Sequence, residues 1–133
     1  MTIYIDEIFP LNGIKHCSYD YQPIVDAFGK VIIQKDDDDY QGDSYIVYKF
    51  EDNRYGVLIF GWGSCSGCDA LHACGGNRDE IQDLINSLYN SIIYFDSLKE
   101  LKEWAESENR KYEYNWSMAG EFYKAIKEYE DVR

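Results

Sequence analysis

The sequence predicts a single α+β domain over residues 1–133, an antiparallel sheet of about four to five strands backed by about two to three helices. Three observations lead there. Short β-branched and aromatic runs crowd the first half of the chain, and helical spacing of apolar residues dominates the second. No repeat and no Pro/Gly/Ser linker divides the two, with Pro10 and Pro23 the only prolines.

The elements follow in order. Thr2 to Phe9 carries three Ile with Tyr4 and Phe9 and reads as a first strand. Pro23 to Phe28 reads as a short helical turn that Gly29 stops, and Val31 to Gln34 as a β-branched strand. The run Asp36-Asp37-Asp38-Asp39 is then a solvated loop. Tyr45 to Phe50 and Tyr55 to Phe60 flank Glu51-Asp52-Asn53-Arg54, the pattern of an antiparallel hairpin. Both faces of these two strands carry bulky apolar side chains, so they belong in the middle of a sheet with helices on at least one side.

Asn77 followed by Glu80 is a capping-box pattern, after which Ile81, Leu84, Ile85 and Leu88 share one helical stripe. Ile92 to Phe95 is a short strand. Ser97 opens a second helix whose Leu98, Leu101, Trp104 and Ala105 share a face. Met118, Phe122, Ile126 and Tyr129 give a C-terminal helix the same spacing.

A chain of 133 residues with 45% hydrophobic and 29% charged residues has the composition of one globular unit. Its formal net charge of −12 excludes free nucleic acid and anionic membranes as direct partners, because both require a cationic surface. The natural complement is a protein with a basic surface, such as a nucleic-acid-binding groove, toward which an acidic field steers encounter. No apolar run approaches the ~20 residues of a membrane span, and the N-terminal residues lack the pattern of a secretory signal. The expected location is the cytoplasm, where cysteines stay reduced or bind metal.

The densest motif is Phe60-Gly-Trp-Gly-Ser-Cys65-Ser-Gly-Cys68-Asp-Ala-Leu-His72-Ala-Cys74, which gathers three of the four cysteines and one of the two histidines. Several chemistries are open to it. Zinc would draw on Cys65, Cys68, His72 and Cys74, with His16 or Cys17 as a further source, since structural zinc takes four N or S ligands. A dithiol oxidoreductase would use Cys65 and Cys68 at a helix start, yet no proline follows Cys68 to supply the cis-proline of thioredoxin-type folds. A small ligand could stack on Trp62. The plainer alternative, which we favour, is a glycine turn beneath which reduced cysteines pack as small hydrophobes.

Other signatures are incomplete. Asp37, Asp39, Gln41 and Gly42 match the start of a calcium-binding loop, but Tyr48 stands where its bidentate Glu is required. No phosphate-binding glycine loop and no nucleophile–base order accompanies the cysteines, so an enzyme is not expected.

Tyr40-Gln-Gly-Asp43, Arg54-Tyr-Gly56, Phe60 to Leu71 and Tyr94-Phe-Asp-Ser97 together resemble a group of small uncharacterised proteins from phage and bacterial genomes. The resemblance brings no activity to carry over. It implies a phage setting and, with it, inhibition of a host protein, defence nucleases included. The expectation is thus a non-enzymatic acidic binding protein that presents Asp36, Asp37, Asp38, Asp39, Tyr40, Asp43 and Trp62 to a basic protein surface. The alternative is a protein that sequesters a small ligand or holds zinc with Trp62 to Cys74.

Overall fold

The computed structural model describes residues 3–8, 21–37, 42–63, 69–111 and 118–130. These form α1 (Ile5–Ile8), α2 (Gln22–Ala27), β1 (Lys30–Asp36), β2 (Gly42–Lys49), β3 (Tyr55–Trp62), α3 (Ala70–Ala73), α4 (Arg78–Asn90), β4 (Ile93–Phe95), α5 (Leu98–Lys111) and α6 (Ala119–Glu128). The four strands run β1-β2-β3-β4 as an antiparallel meander in one sheet, and the α+β expectation holds.

The sheet is buried from both sides because its central strands are apolar on both faces. Successive side chains of a strand point to opposite faces. On β2, Ile46 and Tyr48 therefore join a cluster with Ile24 and Val25 of α2, Leu71 of α3 and Ile81 and Ile85 of α4. Tyr45 and Val47 join a second cluster with Leu101 and Ala105 of α5 and Phe122 and Ile126 of α6. The result is helix layer, sheet, helix layer. Both Ile32 and Ile33 pack against the second cluster. The β1–β2 register shifts between Val31 and Ile33, as a bulge does when it turns consecutive side chains to one side.

The hairpin between β2 and β3 closes where the sequence places it. Phe50 donates its N–H to Arg54 O, and Asn53 takes the turn's positive φ of 67°, a region that Asn tolerates better than most residues. Gly56 on β3 leaves no room for more: a Cβ there would lie 2.7 Å from the Phe50 ring and 2.8 Å from Ile92.

Helices α4 and α5 start at side-chain caps. Asn77 Oδ1 accepts from the Glu80 N–H to open α4, and Ser97 Oγ accepts from the Glu100 N–H to open α5, while Glu100 reaches back to the Asp96 N–H. At α4 the reciprocal half of the capping box is absent, because the Asn77 N–H donates to Cys74 O instead.

Two expectations are corrected. The first strand, Thr2 to Phe9, is helix α1 over Ile5–Ile8, and its backbone is satisfied by a distant side chain. Gln82 of α4 donates to Ile3 O at 2.7 Å and accepts from the Ile5 N–H at 2.7 Å, the two bonds a strand neighbour would have made. The Asp36–Asp39 run is not wholly a solvated loop either: Asp36 ends β1, and Asp37 is bonded into the fold, with Asp38 and Asp39 outside the described residues.

Candidate functional site

The site lies where β1 ends, β2 begins and β3 runs out into the glycine–cysteine segment. Its anchor is Asp69, only 2% exposed. One carboxylate oxygen accepts from the Tyr21 hydroxyl and from the His72 N–H, both at 2.9 Å, and the other accepts from the Gly63 N–H at 2.9 Å. Burial pushes the Tyr21 phenol above its ordinary value, so it stays protonated and donates; its oxygen accepts from the Leu71 N–H at 2.9 Å. One carboxylate thus caps α3 and ties residue 63 to residue 69. The segment carrying Cys65 and Cys68, itself outside the described residues, begins and ends on this clamp.

Beside the clamp a chain of hydrogen bonds crosses three strands and a helix. The Trp62 indole N–H donates to Ser44 Oγ at 3.0 Å, and Ser44 donates to Asp36 at 2.6 Å. Gln34 donates to both Asp36 oxygens at 3.3 Å and to Gln22 at 2.8 Å. Gln22 donates back to Gln34 at 3.0 Å and to Asp26 at 2.9 Å. Most of these residues, with the tilted Tyr21–Phe60 ring pair at 4.9 Å, line a cavity of about 160 Å³.

The pleat sends the neighbouring aspartates to the opposite side. Asp37 accepts from the Asp43 N–H at 2.8 Å and from the Met118 N–H at 2.7 Å, joining the strand ends to the start of α6. The same closeness denies a side chain at Gly42, whose Cβ would sit 2.5 Å from Asp37 Cβ. Asp43 is held above the ordinary carboxylate range, first by burial and then by the charge of Asp37.

Charge divides between the two helix layers. On α1, α2 and α4 the acids are Asp6, Glu7, Asp26, Asp79, Glu80 and Asp83, all exposed, against the single cation Arg78, which is paired with Asp6. On α5 and α6 the sequence places six acids with six bases, Lys99, Lys102, Arg110, Lys111, Lys124 and Lys127. The acid excess of the helices therefore belongs to one face. At the far end of the sheet, Lys30 stands opposite Lys49 and Arg54 lies over the Tyr94 ring at 5.0 Å, around a cavity of about 540 Å³.

Of the residues singled out from the sequence, Asp36 and Trp62 meet through Ser44, and Asp37 and Asp43 meet on the other face. Asp38, Asp39, Tyr40, His16, Cys17, Cys65 and Cys68 lie outside the described residues. The Cys74 thiol donates to Ala70 O at 3.2 Å. Burial, followed by Glu80, Asp69 and Asp83, pushes its pKa up, against thiolate chemistry. Among the described residues no group of three or more His, Cys, Asp or Glu is arranged to hold a metal. Among them, too, no helix is long and apolar enough to cross a membrane. Tyr21, Gln22, Gln34 and Ser44 escaped the sequence reading; Ser44 stands one residue before the strand expected from Tyr45, and β2 takes it in. No family model, curated protein or solved structure matches this chain.

Proposed function

We propose that this chain is a non-enzymatic acidic binding protein that docks through its α1–α4 layer onto the basic, nucleic-acid-binding type of surface of another protein. The supporting observation is the charge division: six exposed acids with one paired cation on one helix layer, and equal numbers on the other. A one-sided field orients a basic partner as well as attracting it, which raises the association rate more than the final affinity. The resemblance of the glycine–cysteine motif extends the proposal to a phage-encoded inhibitor of a host defence protein.

Zero-length carboxylate-to-amine crosslinking of captured partners, followed by peptide mapping, tests the docking face. Crosslinks are expected on Asp26, Asp79, Glu80 and Asp83, with capture declining as salt rises past physiological strength. Crosslinks confined to α5 and α6, or capture indifferent to salt, would overturn it.

One observation favours a second reading, a ligand or zinc ion held by the glycine–cysteine segment: the Asp69 clamp holds the two ends of that segment together. Elemental analysis of protein purified without chelator decides the metal version, which stoichiometric zinc supports and its absence removes.

A further inference from the structure

The cavity between α2 and the sheet end has a chemistry of its own. Its lining side chains include three aromatic rings, two amides, a hydroxyl and one carboxylate. Their donors are committed inward. The Trp62 N–H goes to Ser44, the Ser44 O–H to Asp36, the Tyr21 O–H to Asp69, and the amide N–H groups of Gln34 and Gln22 to Asp36, Asp26 and each other.

Acceptor capacity is what remains. A carboxylate offers about four lone-pair sites; Asp36 receives one short bond from Ser44 and only 3.3 Å approaches from Gln34. Among the described residues no cation forms an ion pair with it. A wall with spare acceptors and committed donors repels phosphate and carboxylate ligands and complements a group that only donates.

Arginine is that group. Its guanidinium has five N–H donors and no acceptor, is planar, and stacks on aromatic faces while it forks onto a carboxylate. Lysine brings a compact ammonium that is attracted to a ring face but neither forks onto a carboxylate nor stacks flat on the ring. Here the indole is held by its bond to Ser44, and the Tyr21–Phe60 pair supplies further aromatic surface beside Asp36.

We infer that this cavity receives an arginine side chain presented by the partner protein, its guanidinium on Asp36 and against Trp62. The inference rests on the acidic-docking reading and makes it specific, since Asp26 of the acidic layer ends the same hydrogen-bond chain that Asp36 joins.

The test uses the full chain, labelled with nitrogen-15, and a capped Gly-Arg-Gly peptide. Counterparts carry lysine or the neutral isostere citrulline, and free L-arginine is run in parallel. The Trp62 indole cross-peak, assigned with Trp62→Phe, and the Gln22 and Gln34 side-chain amides should shift saturably with the arginine peptide. The lysine peptide should bind more weakly, and the citrulline peptide should leave them still. Asp36→Asn, whose remaining cross-peaks report an intact fold, should weaken arginine binding about tenfold or more.

Equal shifts from citrulline, no response to the arginine peptide, or an unchanged Asp36→Asn titration would overturn the inference. Tighter binding of free L-arginine than of the peptide would overturn the assignment to a protein partner. Crosslinks on the α1–α4 layer with a silent Trp62 would sink the cavity alone. Arginine binding at Trp62 without such crosslinks would sink the wider docking face instead.

Discussion

Replacing Asp69 tests whether one buried carboxylate organises the whole sheet end. It accepts three hydrogen bonds, from Tyr21, Gly63 and His72. A bond to a charged group contributes about 1.5–3 kcal/mol, and a buried donor stripped of its acceptor costs about 1–3 kcal/mol. Bonds sharing one carboxylate are not additive, so Asp69→Ala should cost about 3–5 kcal/mol and not their full sum. Asp69→Asn keeps the shape and one carbonyl oxygen for Tyr21 and His72, but turns an NH₂ group toward the Gly63 N–H; about 2 kcal/mol is expected. Against a total of about 5–15 kcal/mol both losses are large, and the Asn variant should lower the urea midpoint by about 1 M. Urea denaturation followed by Trp fluorescence measures the cost, and amide hydrogen exchange locates it at Gly63, Leu71 and His72. An Asp69→Ala loss below about 1 kcal/mol would refute the reasoning. So would equal losses for Asn and Ala, since the clamp requires the geometry of the acceptor to matter.

Asp43 gives a substitution effect of opposite sign. Its pKa is raised by burial and by Asp37, so the folded protein holds this proton more tightly than the unfolded chain does. Stability should then fall as pH rises through the raised pKa and remain lowered at neutral pH. Asp43→Asn is expected to raise the melting temperature at neutral pH and to lose that advantage below the ordinary carboxylate range; a destabilised variant at neutral pH counts against the argument. Ser44 is the shared partner of the Trp62 N–H and of Asp36. Ser44→Ala should therefore cost about 1–2 kcal/mol in urea denaturation, and should red-shift the Trp62 emission; an unchanged midpoint and spectrum would count against the chain of bonds. Leu101 is fully buried in the second cluster. Leu101→Ala should cost about 2–5 kcal/mol in the same assay, and a loss below about 1 kcal/mol would mean that α5 is not packed as described.

The hairpin and the three long helices were legible because their signals are local. Two apolar runs flank Glu51 to Arg54, Asn77 and Ser97 stand three residues before their capped N–H groups, and the apolar stripes repeat at helical spacing. The N-terminal stretch misled because its decisive partner is remote. Ile3 and Ile5 alternate as a strand would, but Gln82 takes their backbone bonds from far along the chain.

The site was legible only in pieces. Asp36 and Trp62 were picked for unrelated reasons, one for an acidic run and the other for a glycine–cysteine motif. Their meeting requires the registers Asp36 to Ser44 and Gly42 to Trp62, which pairing across the sheet settles and composition does not. Gln22 and Gln34 carry no pattern at all. Asp69 did carry one, as a capping residue three positions before His72, but the neighbouring cysteines drew the expected helix start toward themselves. The acid excess was legible in the composition, but its concentration on one helix layer was not, because composition does not say which helices pack on the same side of the sheet.

The docking claim is tested most directly by charge reversal on each layer with the number of charges held equal. One variant carries Asp26→Lys, Asp79→Lys and Asp83→Lys; the other carries Glu103→Lys, Glu106→Lys and Glu121→Lys, at residues that are all exposed. Both change the net charge by the same amount, so any difference in capturing the same partner reports the face and not the total. The account predicts that the first variant loses the partner while the second keeps it. Equal loss from both, or loss from the second alone, would contradict it.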